Sequence, residues 1–103
     1  MALNTITLKQ AQLWAQNWRD NPSPDVYAFL IPEIDITQVM QEKQTVNVRS
    51  YLGIDEKGNY KLMIVGVDKE GNDLINEEAG QYIYDFTTGC PKVCDVNSPL
   101  FRL

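Results

Sequence analysis

The chain has 103 residues, 44% apolar and 22% charged, with a formal net charge of −5 and no histidine. That is the length of one domain around one core and the composition of an ordered one. Nine Lys and Arg residues, scattered singly in an acidic chain, form no basic stripe, so no nucleic-acid partner is expected.

The missing histidine removes the Ser–His and Cys–His nucleophile pairs, the usual acid–base group and the commonest transition-metal ligand. An enzyme built on carboxylates, Lys or Tyr, such as Asp85 with Arg49 and a tyrosine, stays open; the expectation is a non-catalytic protein with no assigned catalytic residues, no cofactor and no bound metal. No stretch approaches the roughly 18 consecutive apolar residues of a membrane span. The opening MALNTITLKQ lacks a basic segment followed by an apolar one. No membrane association and a cytoplasmic location are expected.

Thr7 and Gln10 have the spacing of a capping box. Leu8, Ala11, Trp14, Ala15 and Trp18 then recur at helical spacing, which predicts a helix to about Asp20. Pro22 and Pro24 stop it. Trp14 and Trp18 lie one turn apart, as a core anchor or as an aromatic platform for a partner. Val26–Ile31 reads as a short strand ended by Pro32. Asp35 and Gln38 repeat the capping pattern and predict a helix over about 36–43.

From Thr45 to Ile54 the residues alternate. Val46, Val48, Ser50, Leu52 and Ile54 share one face, and Asn47, Arg49, Tyr51 and Gly53 share the other. Tyr60–Val67 is apolar on both faces, the pattern of a central strand. Its two parities, Leu62/Ile64 and Met63/Val65, are equally apolar, so the side facing the helices stays open. Gly53-Ile54-Asp55-Glu56-Lys57-Gly58-Asn59 recurs thirteen positions later as Gly66-Val67-Asp68-Lys69-Glu70-Gly71-Asn72. Each copy predicts a strand end and a tight turn, with Asp bonding its own backbone and Gly at positive φ. A third strand is expected from Asp73 to Asn76, a turn or irregular crossing at 77–80, and a further strand over Tyr82–Phe86. The tail, 87–103, contains Gly89, Pro91 and Pro99 and reads as irregular.

The fold class is α+β: one domain over 1–103, with a twisted antiparallel sheet of three to five strands, a meander core over 45–86, and two helices packed on one face. The other face would carry Arg49, Tyr51, Tyr82 and Tyr84, with Asp85 as the carboxylate nearest to them. These five are the candidate ligand or interface residues.

Cys90 and Cys94 are separated by three residues, not the two of thioredoxin-like or zinc-knuckle motifs. Two thiolates with Asp95 and water would be an unusual zinc site, and with no histidine the other ligands would have to come from a second chain. A local disulfide, a thiol switch and two inert thiols all remain open. The Asp-x-x-Gly-Asn turns have oxygen ligands suited to calcium, but their spacing is not that of a calcium loop and they fall at opposite ends of a strand.

The segments Ala28–Pro32, Arg49–Asp55 (RSYLGID), Leu62–Asp68 (LMIVGVD) and Tyr84–Cys94 (YDFTTGCPKVC) together resemble a small family of uncharacterised single-domain bacterial proteins. The resemblance spans about Ala28 to Cys94. It implies a stand-alone cytosolic domain and brings no functional residues with it. The functional expectation is a non-catalytic binding or protein-interaction domain that meets an unknown partner, or its own copy, through a sheet face. The alternative is a thiol-based redox or metal-binding protein using Cys90 and Cys94.

Overall fold

In the computed structural model the helix α1 runs over Leu8–Asp20. Its expected capping box is present: Gln10 N–H donates to Thr7 Oγ1 at 3.1 Å and Thr7 N–H to Gln10 Oε1 at 3.3 Å. The structure describes residues 3–22, 26, 28–90 and 94–102. The other elements are β1 (Thr5–Ile6), β2 (Ala28–Leu30), α2 (Glu33–Gln41), β3 (Asn47–Ile54), β4 (Tyr60–Val67), β5 (Asp73–Leu74), β6 (Ile83–Tyr84) and β7 (Thr88–Cys90), with a 3-10 turn at Glu77–Ala79.

The fold is α+β. Five strands form an open antiparallel sheet in the order β1–β6–β4–β3, with β5 beside β4. Strand β4 is central, as its two apolar faces require, and β3 pairs along its whole length from Ile54↔Tyr60 to Asn47↔Val67. The two repeated turns are superposable in their bonding. Asp55 Oδ1 accepts from Lys57 N and Asn59 N, both at 2.9 Å, and Asp68 Oδ1 accepts from Glu70 N and Asn72 N, both at 2.9 Å. Gly58 and Gly71 take φ of 84° and 89°, a conformation that other residues adopt only with strain. The carboxylates are engaged by their own turn's N–H groups, which accounts for the repeat without a cation.

The helices do not share a face. Because β3 and β4 pair odd with odd, Gly53, Tyr51, Arg49, Met63 and Val65 lie on one side of the sheet. Helix α1 packs there, around Ala11, Trp14, Met63, Val65 and Ile83. Ile64 and Tyr84 point to the other side and meet Val39 of α2. Met63/Val65 and Ile64 are equally apolar because each row is covered by a different helix. Gly53 lets α1 come close: a Cβ there would lie 2.9 Å from Trp14 Cβ and 2.8 Å from Met63 Cε. Trp14 is thus a core anchor, and Trp18 packs edge-on against Tyr60 with ring centroids 5.9 Å apart.

Three local expectations are corrected. Helix α2 begins at Glu33 with Pro32 as its cap, so Asp35 lies inside the helix; it is fully buried and does not cap it. The tail is not wholly irregular, since β7 pairs with β2 from Ala28↔Cys90 to Leu30↔Thr88 in a separate two-stranded sheet. The strand expected over Tyr82–Phe86 is shortened to Ile83–Tyr84. In place of its continuation, Thr87 Oγ1 accepts from Leu62 N at 3.0 Å and donates to Leu62 O at 2.8 Å, so that a side chain does the pairing of a backbone. Of the expected strand at Val26–Ile31, Tyr27 lies outside the described residues.

Candidate functional site

Arg49 and Tyr51 are two residues apart on β3 and therefore project to the same side. The register of β4 with β5 sets Asp73 opposite Val67, on that side too. The three meet: Arg49 Nη1 and the Tyr51 hydroxyl donate to the two oxygens of Asp73, and Arg49 Nη1 also reaches Gly71 O at 3.3 Å. The bond to Asp73 raises the phenol pKa of Tyr51, and the same carboxylate raises that of Arg49. Asp73 was legible only as the start of a strand. Its role depends on the hairpin register, which no local pattern carries.

Tyr51 and Asp73 of this trio line a groove of about 410 Å³ between α1 and the sheet. Behind it lie Met63, Val65 and Ile83, which α1 already buries, and the half-buried Ile75. Ala15 holds the helix wall back, and Arg19 stands at the helix end of the rim. Sequence reasoning missed the groove. Its signal was the small residues Ala11 and Ala15, four apart on α1 and opposite the large side chains of β4.

Tyr82, Tyr84 and Asp85 are not part of this constellation. Tyr84 is buried on the α2 side, where its hydroxyl donates to Glu42 Oε2 and the Tyr82 N–H donates to the same oxygen at 3.0 Å. Burial, then the bond to Glu42, pushes the Tyr84 phenol well above its ordinary value. One helix turn pair away, Asp35 Oδ2 accepts the Phe86 N–H at 3.1 Å. Burial raises the pKa of Asp35 and Glu42, against the lowering effect of these hydrogen bonds. Asp85 is half-buried. Desolvation raises its pKa and Lys61 opposes the rise. Lys61 Nζ itself donates to Asp85 O at 3.4 Å and Thr87 O at 3.3 Å. Asp35, fully buried, and Glu42, half-buried, clamp the backbone of 82–86 to α2 through one oxygen each.

Cys90 and Cys94 form a disulfide, with Cys90 buried at the end of β7. The bond uses both sulfurs, so neither is a thiolate ligand in this state. Residues 91–93 lie outside the described part.

Strand β3 is the sheet's edge. The row expected to face inward, Val46, Val48 and Leu52, is exposed instead, because α1 covers the other parity. On α2, Gln38 exchanges hydrogen bonds with the Leu3 backbone at 2.8 and 3.0 Å, fixing that flank toward β1. Ile36 and Met40 lie roughly 160° round the helix from Gln38, at about 100° per residue. They therefore point toward β3, and both are exposed. Val46, Val48 and Leu52 on β3 and Ile36 and Met40 on α2 are thus exposed apolar side chains. No family model, curated protein or solved structure matches the chain. Among the described residues no helix is long and apolar enough to cross a membrane.

Proposed function

We propose that the protein is a non-catalytic interaction domain whose partner is a second copy of itself, joined along β3. The observation that carries this reading is the outer edge of β3, which pairs with no strand among the described residues and whose Ile54 carbonyl accepts from Asn17 Nδ2 at 3.0 Å, beside the exposed Val46, Val48 and Leu52. Unpaired strand edges with apolar flanks invite another strand, and proteins that remain single guard them with lysine, proline or a bulge. Residues 46–54 contain neither lysine nor proline. Their one charge, Arg49, is tied to Asp73 on the α1 side.

A copy of the same chain suits the edge for two reasons. Antiparallel pairing about a two-fold axis makes any strand self-complementary, and two-fold dimers are the commonest closed assembly. In a chain of net charge −5, the stretch 46–54 contains no acidic residue, so two copies meet where their mutual repulsion is least. Ile36 and Met40 would extend the contact beyond the backbone ladder.

The same reading takes the cytoplasm as the location, in keeping with the scattered charges and the expected bacterial family. There the Cys90–Cys94 bond would exchange with a dithiol, which leaves β3 untouched.

Size-exclusion chromatography with light scattering tests the pairing. The wild type should elute as a dimer at high micromolar concentration, and the double variant Val48→Lys/Leu52→Lys as a folded monomer by circular dichroism. A wild type that stays monomeric at that concentration, or a dimer indifferent to both lysines, would sink the proposal.

A further inference from the structure

The bond between Cys90 and Cys94 engages the only two cysteines of the chain. It sits where the small β2–β7 sheet ends, since Cys90 is the last residue of β7 and pairs with Ala28. Strand β7 lies against both β2 and β4. The two ends of the bond therefore differ in access. Cys90 is 5% exposed, whereas Cys94, outside any strand, is half-buried and is followed by the exposed Asp95, Val96 and Asn97.

A disulfide is opened by a thiolate that must reach one of its two sulfurs. Access decides which end is attacked before any difference in sulfur chemistry can act.

We infer that Cys90–Cys94 is a thiol–disulfide exchange site worked from one end: the thiolate of a reductant attacks Cys94 Sγ, and Cys90 is the leaving group. The reagent sulfur bonds to Cys94 as the Cys90–Cys94 bond breaks. The electron pair of that bond leaves on Cys90 Sγ, which takes a proton from water. A monothiol gives this mixed disulfide. A dithiol goes further: its second sulfur, as thiolate, attacks the first, and Cys94 departs as a thiolate and is protonated. The protein has then gained two electrons and two protons, and the dithiol has lost as many and become a disulfide. Burial disfavours a thiolate at Cys90, so both its departure and its return attack on the mixed disulfide are slow. Cys94 is thus the position that carries a modifying thiol. The use of this site in the cell rests on the cytoplasmic location already proposed, whereas the choice between the two sulfurs is a property of the fold. Strand β3 takes no part, so exchange and dimer formation stand or fall separately.

The experiment treats the oxidised full chain with glutathione as the monothiol and, in a parallel arm, with dithiothreitol as the dithiol. Each sample is quenched in acid and its cysteines are mapped by tandem mass spectrometry. Glutathione should be found on Cys94, with a free thiol at Cys90; dithiothreitol should leave two free thiols. In the single variants, oxidised glutathione should modify Cys94 of Cys90→Ser about tenfold faster than Cys90 of Cys94→Ser, a difference set by access. The near-ultraviolet circular dichroism of the treated wild type should keep its tryptophan bands, since Trp14 packs in the cluster with Met63 and Trp18 against Tyr60. Glutathione on Cys90, equal rates in the two variants, resistance of the bond to both reagents, or exchange only with loss of the tryptophan bands would overturn the inference.

Discussion

The two faces of β4 are built on different physics. On the α1 side, packing is mainly apolar and close, with Trp14 seated over Met63 and Gly53, one hydrogen bond from Asn17 Nδ2 to Ile54 O, and no charged group in the cluster. On the α2 side the apolar contribution is small, Val39 with Ile64 and Tyr84, and two carboxylates, the buried Asp35 and the half-buried Glu42, complete the attachment. One helix is held by area removed from water, which acts without direction. The other is held by directed hydrogen bonds that fix α2 along the chain of 82–86 at the cost of desolvating two acids. The difference teaches why β6 is so short. Its neighbours Tyr82 and Phe86 give their N–H groups to Glu42 and Asp35 rather than to another strand.

The largest break in this contrast should come from Trp14→Ala. Deleting a buried indole costs about 3–5 kcal/mol, a large share of the stability of a small domain. Urea denaturation followed by circular dichroism would measure it. A loss below about 1 kcal/mol would mean that the α1 side is not the main source of cohesion.

Next in size is a pair of glycine substitutions, one per face. Gly53→Ala should cost about 1–3 kcal/mol, as overpacking does, because the new methyl meets Trp14 Cβ at 2.9 Å and its backbone carbon at 3.1 Å, and neither can turn aside. Gly66→Ala should cost less. The three atoms nearest its methyl all belong to the side chain of Thr45, which precedes β3 and is half exposed as a residue, so the conflict is with a side chain and not with backbone. The same denaturation experiment ranks the two; the reverse order would show that the Thr45 segment is the more rigid wall.

What the sequence made legible was local. The capping box of α1, the two Asp-Gly-Asn turns and the doubly apolar β4 all follow from residues within a few positions of one another. Arg49 and Tyr51 were legible as a pair because strand parity is local too. The rest depended on distant partners. Asp35 followed by Gln38 has the pattern of a cap, yet Asp35 bonds to Phe86, 51 residues away. Glu42 drew no attention, although it holds Tyr82 and Tyr84 from 40 and 42 residues away. Strands of two or three residues such as β1 and β7 have no periodicity to read, and pairing alone defines them. The placement of the helices on opposite faces was hidden by the very symmetry of β4, since both parities are apolar whether one helix covers the sheet or two.

The smallest expected effect is the one that bears most directly on the α2 side. Asp35, Glu42 and Asp85 all have pKa values raised by burial above the ordinary 3.8 and 4.5. A carboxyl whose folded pKa is raised binds its proton more tightly in the folded state than in the unfolded one. Through the window between the two values the folded state therefore holds more protons, and stability must rise as pH falls. Asp68 works in the other sense. Its pKa is lowered by the Asn72 N–H, so its contribution is present above the ordinary value and is lost in stronger acid. Stability should accordingly climb from neutral pH toward mild acid and fall again below about pH 4, near the ordinary carboxylate values. Because solvent reaches Glu42 and Asp85, the gain is about 1 kcal/mol, or about 5 °C in melting temperature for a chain of this size. Melting curves from pH 7.5 down to pH 3 would trace it (values on the order of the ordinary carboxylate range and above). The control is Asp35→Asn/Glu42→Gln, which keeps an acceptor for each N–H and removes both titrations. Its climb toward mild acid should be flatter than that of the wild type. A wild type and variant with parallel profiles would assign the pH dependence to the overall negative charge and not to the clamp beneath α2.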